Sequence, residues 1–212
     1  MTKIFSPTRL VGLVALGVLL QAVAIGAASA ETFFKYKNGK LERPTGYREW
    51  IYVGTPVTPN DMNDGAAAFP EHHNVYIDPD SWKHWKKTGE FRDGTILMKE
   101  LVSVGSKAAV SGAGYFQGDF IGLEATIKSK KHFKDEPGNW AYFSFSTPDH
   151  KSLTETAEPF AAASCNACHQ GAAADDWVFT QYYPVLSQGK AAGKDAIGGR
   201  KSDLTPLMGM GK

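Results

Sequence analysis

Cysteine is almost absent, at two in 212 residues. That scarcity excludes a disulfide-framework fold, and without a second cysteine pair there is no pattern for a structural zinc site. Net charge is almost absent too, at +1 from 23 Lys and Arg against 22 Asp and Glu. So balanced a chain gives no electrostatic reason to expect nucleic acid or an anionic membrane as partner. Internal repeats are missing, as is any apolar run of spanning length after the first thirty residues. What the chain does have is 42% hydrophobic and 12% aromatic residues, too many for a disordered protein.

The first thirty residues read as an export signal. A basic start (Lys3, Arg9) leads into 18 apolar residues from Leu10 to Ala27 and then Ala28-Ser29-Ala30, the small-residue pattern of a signal-peptidase site. Cleavage after Ala30 predicts a periplasmic protein beginning at Glu31. Its basic count falls to 21 against 22 acids, a net charge of −1. The remaining 182 residues, 31–212, suffice for one domain with a proper core.

Along that domain, 47–50 predicts a short helical turn feeding an extended segment at 51–55. The stretch 56–73, rich in Pro, Asn, Asp and Ala, predicts a long loop. A short strand follows at 74–77. Asp78-Pro79-Asp80-Ser81 carries helix-start chemistry and Gly89 is a natural stop. From Thr95 the period becomes two: 96–104, 115–117, 120–127 and 140–147 predict strands, and their short connections favour antiparallel pairing. Helices are expected at 154–170 and 176–186. The fold class is α+β, a mainly antiparallel sheet of about five or six strands with packed helices and a helical C-terminal segment. The expected domain is 31–186, with a flexible Gly- and Lys-rich tail at 187–212.

The two cysteines lie in Cys165-Asn166-Ala167-Cys168-His169, the C-x-x-C-H pattern of covalent haem c attachment. Two thiols three positions apart on a helical turn can each add to a haem vinyl group, and the adjacent histidine offers its imidazole to iron. A catalytic disulfide normally sits at a helix start after a strand, which this Ala-rich context lacks. One motif means one haem. Residues 31–164 must then build the other side of the pocket.

For iron's sixth position, Met98 reads as core, and Met208 and Met210 fall in the tail. His72 and His73 lie in the expected loop, while His84, His132 and His150 sit among charged or turn residues. Within the apolar strand 96–102, Lys99 and Glu100 point to opposite faces. The pattern alone favours an edge strand with an outward lysine. Glu124 raises the same question in 120–127. A buried carboxylate near iron would have a raised pKa and could accept protons.

The segments 47–50, 53–55, 84–95, 99–105, 114–116, 122–125 and 136–141, the haem motif, 178–180 and 183–186 together resemble the cytochrome P-460 family, in order and over nearly the whole mature chain. The resemblance implies a periplasmic mono-haem protein, homodimeric, with five-coordinate haem c and the capacity to oxidise hydroxylamine to nitrous oxide or nitrite. It implies that Lys99 links to a haem meso carbon and that Glu124 relays protons. Cys165 and Cys168 would be the thioether anchors and His169 the proximal ligand. No flavin, nicotinamide or second-metal motif is visible, so electrons must leave to an external acceptor such as a soluble cytochrome c. The rival is a relative similar to cytochrome c-prime-beta, which binds nitric oxide or carbon monoxide without the lysine link. A simple electron carrier would need Met98 or His72 as a strong sixth ligand.

Overall fold

The computed structural model describes residues 33–191. The expected leader at 1–30 and the expected tail beyond Ala191 lie outside the described residues. Among the described residues the strands are, in chain order, β1 (Tyr36–Lys37), β2 (Lys40–Glu42), β3 (Ile51–Gly54), β4 (His72–Ile77), β5 (Ile96–Val104), β6 (Ala108–Ala109), β7 (Gly112–Ala113), β8 (Gln117–Lys128), β9 (Trp140–Ser144) and β10 (Thr156–Ala157). The α-helices are α1 (Pro79–Thr88), α2 (Ala162–Ala172) and α3 (Pro184–Ala191).

The alternation from Thr95 onward becomes β5, β8 and β9, which join β3 and β4 in a five-stranded sheet of order β3-β4-β5-β8-β9, antiparallel throughout. Strand β5 is central, so the edge-strand expectation for Lys99 is overturned. Both faces of the sheet are covered, which is why β5 carries apolar residues on both of its faces, at six of its nine positions. One face packs Ile96, Met98, Leu123, Ala125, Ile127 and Phe143 against Phe34 and Leu41 of the N-terminal segment. The other packs Leu97, Val75, Ile77, Trp140 and Tyr142 against Trp85 of α1 and Leu186 of α3. A small sheet, β1-β2-β10, closes the first face by pairing Glu42 with Thr156 and Leu41 with Ala157. Nothing in the polar lead-in announced it.

Several boundaries differ from expectation, among them the end of β9, at Ser144 and not at 147. Strand β4 begins at His72, because the loop backbone turns back into register with β5 and pairs His72 with Val102. Strand β8 is continuous through Gly118, where a Cβ would lie 2.6 Å from the Ser103 hydroxyl and 3.0 Å from the Gly105 Cα. That glycine permits close approach and does not end a strand. Residues 154–161 are extended, and α2 starts only at Ala162, after Pro159 biases its predecessor away from helix. Helix α3 starts at Pro184, where the sequence pattern suggested an ending. Proline is favoured in a first turn, and the helix runs to Ala191.

Asp78 ties α1 to the sheet, as its position at the helix start foretold. Its carboxylate, fully buried, accepts from the Ser81 amide at 2.8 Å, the Ile96 amide at 3.1 Å and Arg92 Nη2 at 3.2 Å. Asp78→Ala therefore removes a helix cap and strands a buried amide and a half-buried guanidinium. We expect a loss of about 4–6 kcal/mol in urea unfolding, the sum of a lost cap and a broken buried ion pair.

Candidate haem site

The pleat of β5 sends Lys99 and Glu100 to opposite covered faces, and each finds a partner. Glu100, 4% exposed, accepts from the Tyr47 hydroxyl at 2.8 Å and from Arg48 Nε at 2.5 Å. That is a structural answer to a buried charge. Lys99 lies on the helix-covered face. It pairs with Val75 of β4 on one side and directly with Glu124 of β8 on the other. Lys99 Nζ is 2.5 Å from Glu124 Oε2, with both side chains about a quarter exposed, at 28% and 26%. The same ammonium stands 5.6 Å from the centroid of the Phe69 ring.

A second acid lies beside it. His73, two residues from Val75 and on the same face, has Nε2 3.2 Å from Glu71 Oε1. Burial pulls the Glu71 carboxyl up, but the His73 hydrogen bond and the nearby Lys99 charge bring it below the usual carboxylate range.

Helix α2 brings the cysteine motif over this face. Cys165 and Cys168 are free thiols, and Cys165 packs with the cluster that contains Leu97 and Tyr142. Burial pushes the Cys165 thiol up; the Glu124 carboxylate adds to the rise and the Lys99 ammonium opposes it. Burial also holds His169 below the ordinary imidazole value, opposed by its hydrogen bond to Trp177 and assisted by Lys99. Tyr142 of β9 stands against the His169 ring, and Cys165 packs in one cluster with Leu97 of β5 and Tyr142, so strands and helix share one site.

The His169 ring lies between Tyr142 and Phe179, each with its centroid 4.6 Å away. Its Nδ1 is 2.7 Å from the Trp177 carbonyl oxygen. A carbonyl can only accept, so Nδ1 carries the proton and Nε2 keeps its lone pair. That is the tautomer an axial ligand needs. Beside it the Tyr142 hydroxyl is buried without a hydrogen-bond partner, a polar atom left for a bound group to satisfy. Two free thiols on one helical turn, an imidazole with a free Nε2 and an orphaned hydroxyl fit a haem.

The model of the family described as cytochrome P460 matches residues 44–180. The chain belongs to the cytochrome P460 family. Membership makes it a haem protein. No curated protein matches the chain. The matched span contains the sheet, the lysine–glutamate pair and the cysteine motif together. Among the described residues, no cluster of three or more His, Cys, Asp or Glu side chains could hold a separate metal ion.

Of the other candidates for an iron ligand, His73 shares the Lys99 face and is paired there with Glu71, whereas Met98 and His72 lie on the opposite face. Met98 is fully buried in the opposite core, as expected. His72, expected to be loop-exposed, is 4% exposed and shares the Glu100 face through its pairing with Val102. Both residues considered for a simple electron carrier therefore point away from Lys99. Met208 and Met210 lie outside the described residues. Sequence reading missed Phe69, Tyr142, Phe179 and the Trp177 carbonyl. For Tyr142 a signal existed, since it alternates with Trp140 and Ser144 on one face of β9. For a backbone carbonyl there was none.

Gly138 supports the Trp177 end of the site. Its φ is +63°, and a Cβ there would lie 2.5 Å from the Trp177 ring. Gly138→Ala combines left-handed strain with overpacking, and we expect it to cost about 2–4 kcal/mol in denaturant unfolding.

Proposed function

We propose that the protein is an exported mono-haem c enzyme that oxidises hydroxylamine and passes the electrons to an external acceptor. The observation that carries this reading is the Lys99–Glu124 pair, 2.5 Å apart on the face that α2 covers. A gas-binding or electron-carrying relative has no need of a carboxylate–lysine pair there. Cys165 and Cys168 would anchor the haem through thioether bonds, and His169 Nε2 would be its axial ligand. The haem, when bound, supplies the redox centre that takes electrons from hydroxylamine.

The chain's own residues have the remaining work. Oxidation of hydroxylamine releases protons together with electrons, and Glu124 is the base positioned to accept them. Lys99 holds Glu124 by direct cross-strand pairing and is the residue whose nitrogen would link to the haem edge. That link replaces one N–H and one C–H by a C–N bond, a two-electron oxidation that needs an external oxidant. The Phe69 ring stands beside the Lys99 ammonium on the same side. The signal pattern at 1–30 supports a periplasmic location. A homodimer and a soluble cytochrome c acceptor complete the reading by resemblance.

The deciding measurement is the absorption spectrum of the reduced protein. A strongly red-shifted Soret band is expected, marking the lysine link. An ordinary c-type band would point instead to a gas-binding relative that binds nitric oxide without turnover. Lys99→Arg should give the ordinary band and lose most hydroxylamine oxidation; an unchanged spectrum and rate would remove the link. Glu124→Gln should retain hydroxylamine binding and slow its oxidation by about 10²–10⁴-fold, the usual contribution of a positioned base. A wild-type rate in that variant would end the proton-acceptor role.

A further inference from the structure

The acceptor that orients His169 is held by an unusual piece of backbone. The Trp177 carbonyl sits in a turn closed by the Val178 amide donating to the Asp175 carbonyl at 2.8 Å. Its two central residues, Asp176 and Trp177, have φ of 44° and 61°. Such primed turns are normally made by Asn and Gly, because a Cβ is disfavoured at positive φ. Asp tolerates that region, but a bulky tryptophan there is an outlier that the surroundings must enforce.

The surroundings are specific. One Asp176 carboxylate oxygen, Oδ2, pairs with Lys128 Nζ, and the other accepts from the buried Trp140 Nε1 at 3.2 Å. Lys128 and Trp140 are themselves directly opposed in register across β8 and β9. The carboxylate thus clamps the turn to the rigid sheet. The Trp177 ring is fixed from its other side by Gly138, which leaves no Cβ in its way. At the neighbouring position the Thr180 hydroxyl donates to the Asp175 carboxylate.

We propose that Asp176 is a positioning residue for the axial histidine. Clamped by Lys128 and Trp140, it holds the turn in its left-handed form and so presents the Trp177 carbonyl to His169 Nδ1–H. That hydrogen bond makes Nε2 a stronger donor to iron, which favours the ferric state and lowers the reduction potential. Asp176 touches neither substrate nor haem in this role. It acts through two backbone bonds and one imidazole. The inference rests on the haem reading above.

The test uses the haem-loaded protein in its wild-type form and as Asp176→Ala, Asp176→Asn and Lys128→Met. Reduction potential is measured by redox titration, and the iron–histidine stretching band of the ferrous form by resonance Raman. Asp176→Ala is expected to raise the potential and move the band to lower frequency. Asp176→Asn keeps an acceptor for Trp140 and tolerates positive φ, and should restore most of both values. Lys128→Met should shift them in the alanine direction by less. Wild-type potential and band in Asp176→Ala would overturn the proposal. If that variant fails to accumulate, wild-type values in Lys128→Met overturn it instead. A wild-type protein that carries no haem would remove the haem reading itself. A haem-bearing wild type with unshifted variants removes the positioning role alone.

Discussion

A sheet covered on both faces has nowhere to put two consecutive charges. Strand β5 nevertheless carries Lys99 and Glu100 at its centre, and the pleat forces them apart. On one side Glu100 is neutralised by Arg48 and Tyr47 and fixes the 47–49 turn to the sheet. On the other, Lys99 meets Glu124 across the next strand. Glu100 is the buried member of its pair, so losing its partners would leave a charge unpaired inside the fold. Lys99 and Glu124, each about a quarter exposed, are partly screened by solvent and depend less on one another. The two pairs differ in what surrounds them: Glu100 is saturated and nearly inaccessible, whereas Glu124 stays partly open towards the helix that bears the cysteines.

The site joins two kinds of support. Strands deliver Lys99, Glu124 and Tyr142 with positions set by ladder hydrogen bonds, which no side-chain motion can shift by much. Helix α2 has only a weak amphipathic face and buries Asn166 alone. It is held where it lies by Cys165 in the apolar cluster, by His169 between two aromatic rings and by the His169–Trp177 hydrogen bond. Several of those contacts belong to residues that a haem protein uses to hold its cofactor. Acid–base geometry is thus intrinsic to the sheet, while the helix takes much of its placement from the site.

Much of this was legible from residue order. Period-two alternation located the strands of the main sheet, and the Asp78 cap and Gly89 stop bounded α1 closely. The cysteine spacing marked the candidate haem segment, and Lys99 and Glu124 stood out as charges in apolar strands. Other features were hidden for identifiable physical reasons. The place of β5 at the centre of the sheet depends on pairing with β4 and β8, and a lysine at a strand edge gives the same local pattern. His72 lies in a stretch whose composition is that of a loop, and only register with Val102 buries it. Asp176 and Trp177, expected to open a helix at 176–186, have no local preference for positive φ; tertiary contacts impose the turn.

The pairing of β2 with β10 has a consequence for the order in which the chain can organise. Leu41 is fully buried, yet its partner strand includes Ala157, far downstream and only a few residues before α2. The first face of the sheet cannot be sealed until almost the whole domain has been delivered. Such non-local closure is slow, because the entropy of a long loop is lost before its contacts form. The cysteine motif follows immediately after that late strand. In a chain threaded from its N-terminus, the thiols arrive when the strands they will face are already available to pair, and only α3 remains to follow them onto that face.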